Sequence, residues 1–155
     1  MLNIYVEATI PTVFNCERFH YKDYDLIIHD FGTPRILWQA YADVTNAVVY
    51  VIDSTDIIRL DDQYGSIDNV KDDLHRMFGL LNVPFLILAN KQDIKTALGV
   101  EMIKKRLGIV EKCNIDNNLF IVETSAVTGK GLDTGFSWLN NRLLTIDKET
   151  KALHK

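Results

Sequence analysis

Four polar residues, NKQD, follow an apolar run in the segment LILANKQDIKTALG, residues 86–99. Three of them, Asn90, Lys91 and Asp93, form a compact group that can read a guanine ring. The Asp93 carboxylate can accept hydrogen bonds from the ring N–H and the exocyclic amine of guanine together, and adenine lacks donors at those positions. The alkyl stem of Lys91 can cover the ring face. These residue types at this spacing are compatible with a guanine-binding loop, and in that interpretation Asp93 sets the selectivity.

A second segment, TSAVTGKGL at residues 124–132, offers groups for the same ring. We assign Ser125 and Ala126 of this segment to the nucleotide site. The backbone N–H of Ala126 can donate to the guanine oxygen, and Asn90 can bridge the purine and the neighbouring loops. An alternative interpretation of NKQD is a polar strand-to-helix turn with a capping aspartate. For a bare tetrapeptide this alternative is favoured, because short motifs recur by chance.

Short apolar runs separated by helical patterns predict an α/β fold with crossover helices. Near-continuous apolar runs predict parallel strands, covered on both faces, at residues 47–53, 84–90 and 119–126. The segments on either side of YKDY predict an antiparallel hairpin, with strands at 14–19 and 24–29. Apolar residues at helical spacing predict helices at 67–78, 100–107 and 132–144, with Gly108 and Gly129 as stops or turns.

The predicted sheet places the two polar segments at one edge. Residues 90–93 and 124–126 fall at the carboxyl ends of predicted parallel strands, and Asp30 falls at the same edge. Open parallel sheets bind ligands at this edge. The sequence therefore predicts one ligand site there.

Composition and charge narrow the class of protein. A length of 155 residues with 47% hydrophobic and 25% charged content predicts one compact domain over residues 1–155. A net charge of −4 argues against a nucleic-acid partner, so residues 104–106 are interpreted as a solvated helix face. Cys16 and Cys113 lack metal-ligand spacing and indicate reduced thiols in a cytoplasmic protein. We expect no transmembrane segment, and Leu2 in place of glycine excludes N-myristoylation.

The order and spacing of the segments resemble the Arf and Arf-like small GTPases. IPTVFNCERFHYKDYDLIIHDFG (10–32) is similar to the family's switch I, interswitch hairpin and DxxG motif, and LWQAYADVTNAVVYVIDSTD (37–56) to its next helix and strand. The two base-binding loops follow in the family's order, and the resemblance covers residues 9–144. Within the family, IPTV, NAVVYVID and the PR dipeptide lean towards the lysosomal Arf-like branch. The resemblance implies a mostly parallel sheet, an antiparallel interswitch hairpin and flanking helices.

The resemblance also implies GTP or GDP with Mg²⁺ as cofactors. Thr12 matches the switch I threonine that ligates Mg²⁺, and Asp30 matches the aspartate that holds the metal through water. Gly32 matches the glycine whose N–H contacts the γ-phosphate. Without the family, Thr12 reads equally as a loop residue after a proline and Asp30 as a strand-end polar cap. Phe14 and Tyr41 match aromatic residues that meet protein effectors or regulators.

Other positions depart from the family pattern. His29 replaces the tryptophan of the aromatic cluster, and DFGTPRILW has Thr33 and Pro34 where the family has a second glycine and the catalytic glutamine. We therefore assign no catalytic residue. A GxxxxGK[ST] loop is absent from the 155 residues, and Lys130 of TGKGL is interpreted as part of the turn into the last helix. Losing three or four charge-assisted bonds at about 1.5–3 kcal/mol each costs roughly 5–12 kcal/mol, or about four to nine decades of affinity.

The first strand of the family fold is also expected to be missing. A truncated chain, a sheet that closes across the gap, or another segment or chain that fills it would each fit. Residues 2–10 alternate as a replacement strand would, whereas alignment with the family makes them the end of its first helix.

Two functions therefore remain open. One is an Arf-like GTPase, incomplete at its N-terminus, that acts as a switch in membrane traffic from the cytoplasm, with peripheral association with an endomembrane. The other is a pseudo-GTPase that works as a protein-interaction module. An upstream P-loop would favour the first, and the changes at His29, Thr33 and Pro34 favour the second.

Overall fold

The computed structural model describes residues 14–31, 41–60, 70–72, 74, 77, 83–109 and 118–153. The chain divides into two compact units, Met1–Asp43 and Val44–Lys155. Several sequence predictions lie outside the described residues, namely those for residues 2–10, Thr12, Gly32, Thr33 and Pro34.

The described part of the first unit is dominated by an antiparallel hairpin, as predicted. Strand β1 (Phe14–Tyr21) pairs with β2 (Tyr24–Phe31) along its whole length. Both strands are longer than the predicted 14–19 and 24–29, because the ladder continues to the tyrosines and leaves only two residues in the turn. Lys22 in this turn takes a positive φ of 51°.

The second unit contains a parallel sheet with the strand order β3-β4-β5. These strands are β3 (Val48–Asp53), β4 (Phe85–Asn90) and β5 (Leu119–Glu123). All residues of β4 except the last are buried, which confirms coverage of both faces for this strand. The register pairs Asp53 with Asn90, so the polar residues that end β3 and β4 lie side by side.

Two strand predictions need correction. The third strand ends at Glu123 rather than at residue 126, and residues 124–126 belong to the loop that follows. Its five residues are half-buried, so this strand is not fully covered on both faces. Strand β3 is not covered on both faces, because Val51 is 59% exposed. Its in-register neighbour Leu88 is only 5% exposed. The difference arises because the last helix packs mainly on β4 and β5.

The helices are a 3₁₀ turn at Ala42–Val44, followed by α1 (Ile57–Leu60), α2 (Val100–Leu107) and α3 (Leu132–Leu153). Residues 70–72, 74 and 77 are also helical, within the predicted helix over 67–78. Helix α2 has the predicted bounds and ends at Gly108, which adopts the left-handed conformation. Helix α3 extends nine residues beyond the predicted end at 144, since the segment to Leu153 contains neither Gly nor Pro. Within the described residues, no helix has the length and apolarity needed to cross a membrane.

Helix α3 lies close against the sheet and completes a core around Leu86, Leu88 and Leu139. Leu86 and Leu88 alternate along β4 and therefore point to the same face. Gly135 permits the close approach, because a Cβ atom there would lie 3.1 Å from Val122 and 3.2 Å from Leu88. The core therefore packs against β4, the strand that ends at Asn90.

Candidate functional site

The loops after β4 and β5 are joined by the Asn90 side chain. Asn90 Oδ1 accepts a hydrogen bond from the backbone N–H of Ala126 at 2.9 Å and a longer one from Thr124 Oγ1 at 3.4 Å. Thr124 is fully buried, whereas Ala126 is exposed. The bond to Ala126 uses the N–H that the sequence assigned to the guanine oxygen, so a bound ring would have to share or replace it.

A second bond joins the same loops through Asp93. Ser125 Oγ donates to Asp93 Oδ1 at 2.6 Å and accepts from the Thr128 N–H at 3.2 Å. Ser125 is 1% exposed, and Asp93 is exposed. A buried hydroxyl therefore orients an exposed carboxylate, which suits Ser125 to act through Asp93 rather than by touching a ligand.

The NKQD loop is fixed by its backbone as well. The Gln92 N–H donates to the Thr124 carbonyl at 3.0 Å, and Gln92 Nε2 donates to the Leu98 carbonyl at 2.9 Å. The Leu98 N–H in turn donates to the Ser54 carbonyl at 2.8 Å. These bonds attach the loop to the segments after β3 and β5. They fix the backbone that carries the polar side chains of the NKQD loop.

The loop after β5 depends on two glycines with positive φ, Gly129 at 78° and Gly131 at 74°. The Ser125 N–H donates to the Lys130 carbonyl at 3.0 Å, and the Gly129 N–H donates to the Ser125 carbonyl at 2.8 Å. A Cβ atom on Gly131 would overlap the Glu123 carbonyl oxygen. Lys130 is an exposed turn residue just before α3, which agrees with the interpretation of TGKGL as a turn.

Asp53 belongs to this edge, although the sequence did not single it out. Lys91 Nζ lies 2.6 Å from Asp53 Oδ2, while Asp53 Oδ1 accepts from Thr55 Oγ1 at 2.7 Å and from the Thr55 N–H at 2.9 Å. Partial burial acts to raise the pKa of Asp53, but the hydrogen bonds from Lys91 and Thr55 outweigh it and lower the pKa to about 2. One feature of the sequence could have identified Asp53. It ends an apolar run that predicts a parallel strand, as Asn90 ends the next such run along the chain.

The remaining predicted site residues belong to the first unit or lie outside the described residues. Thr12 and Gly32 lie outside the described residues, and Asp30 and Tyr41 belong to the first unit. In that unit the rings of Tyr41 and His29 lie 5.2 Å apart at 44°. Phe14 begins β1, but its side chain is outside the description. Within the described ranges, no group of three His, Cys, Asp or Glu residues could hold a metal ion.

Comparison with known proteins gives consistent matches over most of the chain. A model of the ADP-ribosylation factor family matches residues 2–143. ADP-ribosylation factor-like protein 2 of Arabidopsis thaliana is 41% identical over 133 residues, which are 83% of this chain and 69% of that protein. ADP-ribosylation factor K of Dictyostelium discoideum is 35% identical over 144 residues, covering 89% of this chain and 72% of the relative.

A solved structure shows the same fold. The Arl6 BBS3 small GTPase of Trypanosoma brucei, determined with the bound nucleotide analogue GppNp, aligns with a TM-score of 0.74 and 27% identity. The alignment covers 89% of this chain and 83% of that one. The hairpin, the parallel sheet and the helices described above match this small-GTPase structure. Together with the family match over residues 2–143, these similarities show that the chain belongs to the ADP-ribosylation factor family of small GTPases.

Proposed function

We propose that this chain binds guanine nucleotides at the carboxyl edge of its parallel sheet. The observation that carries the proposal is the pair of bonds between the NKQD loop and the loop after β5. Asn90 is bonded to Ala126 and Asp93 to Ser125 within one short stretch of surface. A plain strand-to-helix turn would not require either bond, because both join residues more than thirty positions apart.

Guanine would be selected by the exposed carboxylate of Asp93. The ring N–H and the exocyclic amine would both donate to it, and Ser125 would keep it in place through its 2.6 Å hydrogen bond. Lys91 would lie along the ring face, and Ala126 would share with the guanine oxygen the N–H that it donates to Asn90. An adenine ring would leave the carboxylate without donors, which is costly once water is displaced.

The resemblance to the family assigns Mg²⁺ to Thr12 and Asp30 and the γ-phosphate to Gly32, and we propose the same roles here. The 155-residue sequence contains no GxxxxGK[ST] segment and no glutamine next to Thr33 and Pro34. We therefore expect weak nucleotide binding and impaired hydrolysis for these 155 residues. The regulatory role would be that of a switch in membrane traffic, with peripheral contact to an endomembrane.

The second candidate is a pseudo-GTPase that works as an interaction module. His29 favours it, because it replaces an aromatic of the family's partner-binding cluster and lies beside Tyr41 in this structure. Thr33 and Pro34 also favour a pseudo-GTPase, because they stand where the family has the glutamine that orients the attacking water. On this account Phe14 and Tyr41 would still meet a protein partner, but without control by GTP.

Calorimetric titration with GDP and GTP, each with Mg²⁺, and with ATP as control tests the two proposals. Guanine-specific binding at any measurable strength supports guanine binding, and binding at micromolar strength or better also supports the switch. No binding by a folded chain overturns guanine binding and favours the interaction module. GTP turnover is measured in parallel, with Asp30→Ala as the matched variant. A turnover that this substitution abolishes would contradict impaired hydrolysis.

A further inference from the structure

Asp53, which ends β3, has no role in the function proposed above, yet its carboxylate contacts Lys91 of the proposed site. We propose that Asp53 is a positioning residue that holds the Lys91 side chain against the face of a bound guanine ring. The inference rests on the proposed function, because it assigns a task at the same base-binding edge. It adds a third strand end to a site otherwise built from the loops after β4 and β5.

The contact between the two residues is short and crosses neighbouring strands. Lys91 directly follows β4, and its Nζ lies 2.6 Å from Asp53 Oδ2 at the end of β3. The alkyl stem of Lys91 therefore has both ends fixed, one on each strand. Lys91 also has a φ of 69°, a conformation that a residue with a side chain rarely adopts, so its backbone is held in a defined direction.

Asp53 is itself held firmly enough to act as an anchor. Its other carboxylate oxygen accepts two hydrogen bonds from Thr55, one from the backbone at 2.9 Å and one from the hydroxyl at 2.7 Å. These bonds fix the orientation of the carboxylate independently of Lys91. A surface ion pair without such support contributes little, because two flexible side chains must be ordered at once.

A fixed lysine stem has a direct consequence for a planar ligand. A free lysine loses rotamer freedom when it packs against a ring, and that loss weakens binding. In this chain Asp53 already restricts the rotamers of Lys91 before a ligand binds, so binding costs less side-chain entropy. The side chain of Lys91 remains 47% exposed, so methylene surface is still available to a ring.

The test is a double-substitution cycle on GDP affinity. Asp53→Asn removes the anchor and Lys91→Met removes the ammonium group, and both are combined in one chain. Because the pair is partly exposed, we expect each single change to weaken GDP binding roughly three- to tenfold, and the double change to weaken it no further. Asp56→Asn is the control, since Asp56 is a carboxylate in the same loop that pairs with Arg59 instead.

Two results separate failure of this inference from failure of the proposed function. If the unaltered chain binds GDP but Asp53→Asn has no effect, or if the two changes add fully, the positioning role is wrong and guanine binding stands. If the unaltered chain does not bind GDP, both the positioning role and the proposed guanine binding are wrong.

A readout without nucleotide completes the test. Acetylation of Lys91 by acetic anhydride, measured by mass spectrometry against exposed Lys105, should be faster in Asp53→Asn. An unchanged rate would show that Asp53 does not hold Lys91, and would overturn the inference on its own.

Discussion

The Asn90 side-chain oxygen accepts a hydrogen bond from the Ala126 backbone N–H at 2.9 Å, across 36 positions of sequence. Asn90 ends the central strand of the parallel sheet, and Ala126 lies in the loop after the next strand. The two loops of the proposed base site are therefore connected within the chain itself. A site assembled in advance spends less of its binding energy on ordering loops when a ligand arrives.

Asn90→Ala is expected to weaken both stability and ligand binding. The substitution removes the acceptor for Ala126 and for buried Thr124, which should lower the free energy of unfolding by about 1–2 kcal/mol. Urea unfolding without nucleotide measures the effect. Asn90→Asp is the control because it keeps an acceptor oxygen in place, and it should lose less. Equal stability of the Ala variant and the unaltered chain would show that this bond does not join the loops.

Asp93→Asn is expected to remove the preference for guanine. An amide in place of the carboxylate loses a charge-assisted contact of about 1.5–3 kcal/mol, which corresponds to roughly a 10- to 150-fold loss of GDP affinity. ADP binding should not fall, and Asp56→Asn should leave both affinities unchanged. Calorimetry with the two nucleotides measures the ratio. An unaltered ratio in Asp93→Asn would remove Asp93 from the site.

Gly131→Ala should destabilise the loop after β5 far more than Gly129→Ala. Both glycines have a positive φ, which costs an alanine about 1 kcal/mol. Only at Gly131 would the added Cβ overlap the Glu123 carbonyl, whereas Gly129 has open space around it. We expect losses of about 1 kcal/mol at Gly129 and about 2–4 kcal/mol at Gly131 in urea unfolding. Similar losses at the two positions would contradict the close approach.

The Asp53 pair predicts a stability difference with a defined pH window. The pKa of Asp53 is lowered from 3.8 to about 2, so its stabilisation is fully present above pH 3.8 and is lost as the pH falls through about 2. The unaltered chain should exceed Asp53→Asn by at most about 1 kcal/mol near neutral pH, because the side chain is partly exposed and water screens the pair.

Unfolding curves of both chains between pH 6 and pH 2 test this window. The difference between them should stay constant down to about pH 4 and shrink below it. Lys91→Met, which removes the partner rather than the carboxylate, should show the same window. A difference that persists unchanged at pH 2 would contradict the assignment.

Two buried serines should respond in opposite directions to the same substitution. Ser54 is fully buried, and its Oγ has no hydrogen-bond partner among the described residues. Ser54→Ala removes this unpaired group and should raise stability by about 1 kcal/mol. Ser125→Ala removes a hydroxyl that bonds Asp93 and Thr128, and should lower it by a similar amount. Urea unfolding of both variants decides, and a loss at Ser54 would reveal a partner for its hydroxyl.

Much of the fold could be predicted because it depends on local patterns. The run that became β4 is apolar at nearly every position, which is typical of a parallel strand buried on both faces. Helix α2 ends at the predicted Gly108, where glycine adopts without strain the left-handed conformation that closes the helix. Val51 was misjudged, because its exposure depends on where α3 packs and not on the residues beside it.

The candidate site was predicted unevenly for the same reason. Asn90, Lys91 and Asp93 stand together in the sequence, so their types and spacing were visible. The partner of Lys91 was not, since Asp53 lies 38 positions earlier and meets it only through the parallel register of β3 and β4. Ser125 was assigned to the site, but its burial and its bond to Asp93 needed coordinates.

The central claim is that a guanine ring occupies the edge between Asn90, Asp93 and Ala126. It is tested most directly by two-dimensional ¹H–¹⁵N NMR of the labelled chain during titration with GDP, and with ADP in parallel. The account predicts that the Ala126 amide and the Asn90 side-chain amide shift with GDP and not with ADP. Equal shifts with both nucleotides, or GDP shifts confined to other residues, would contradict it.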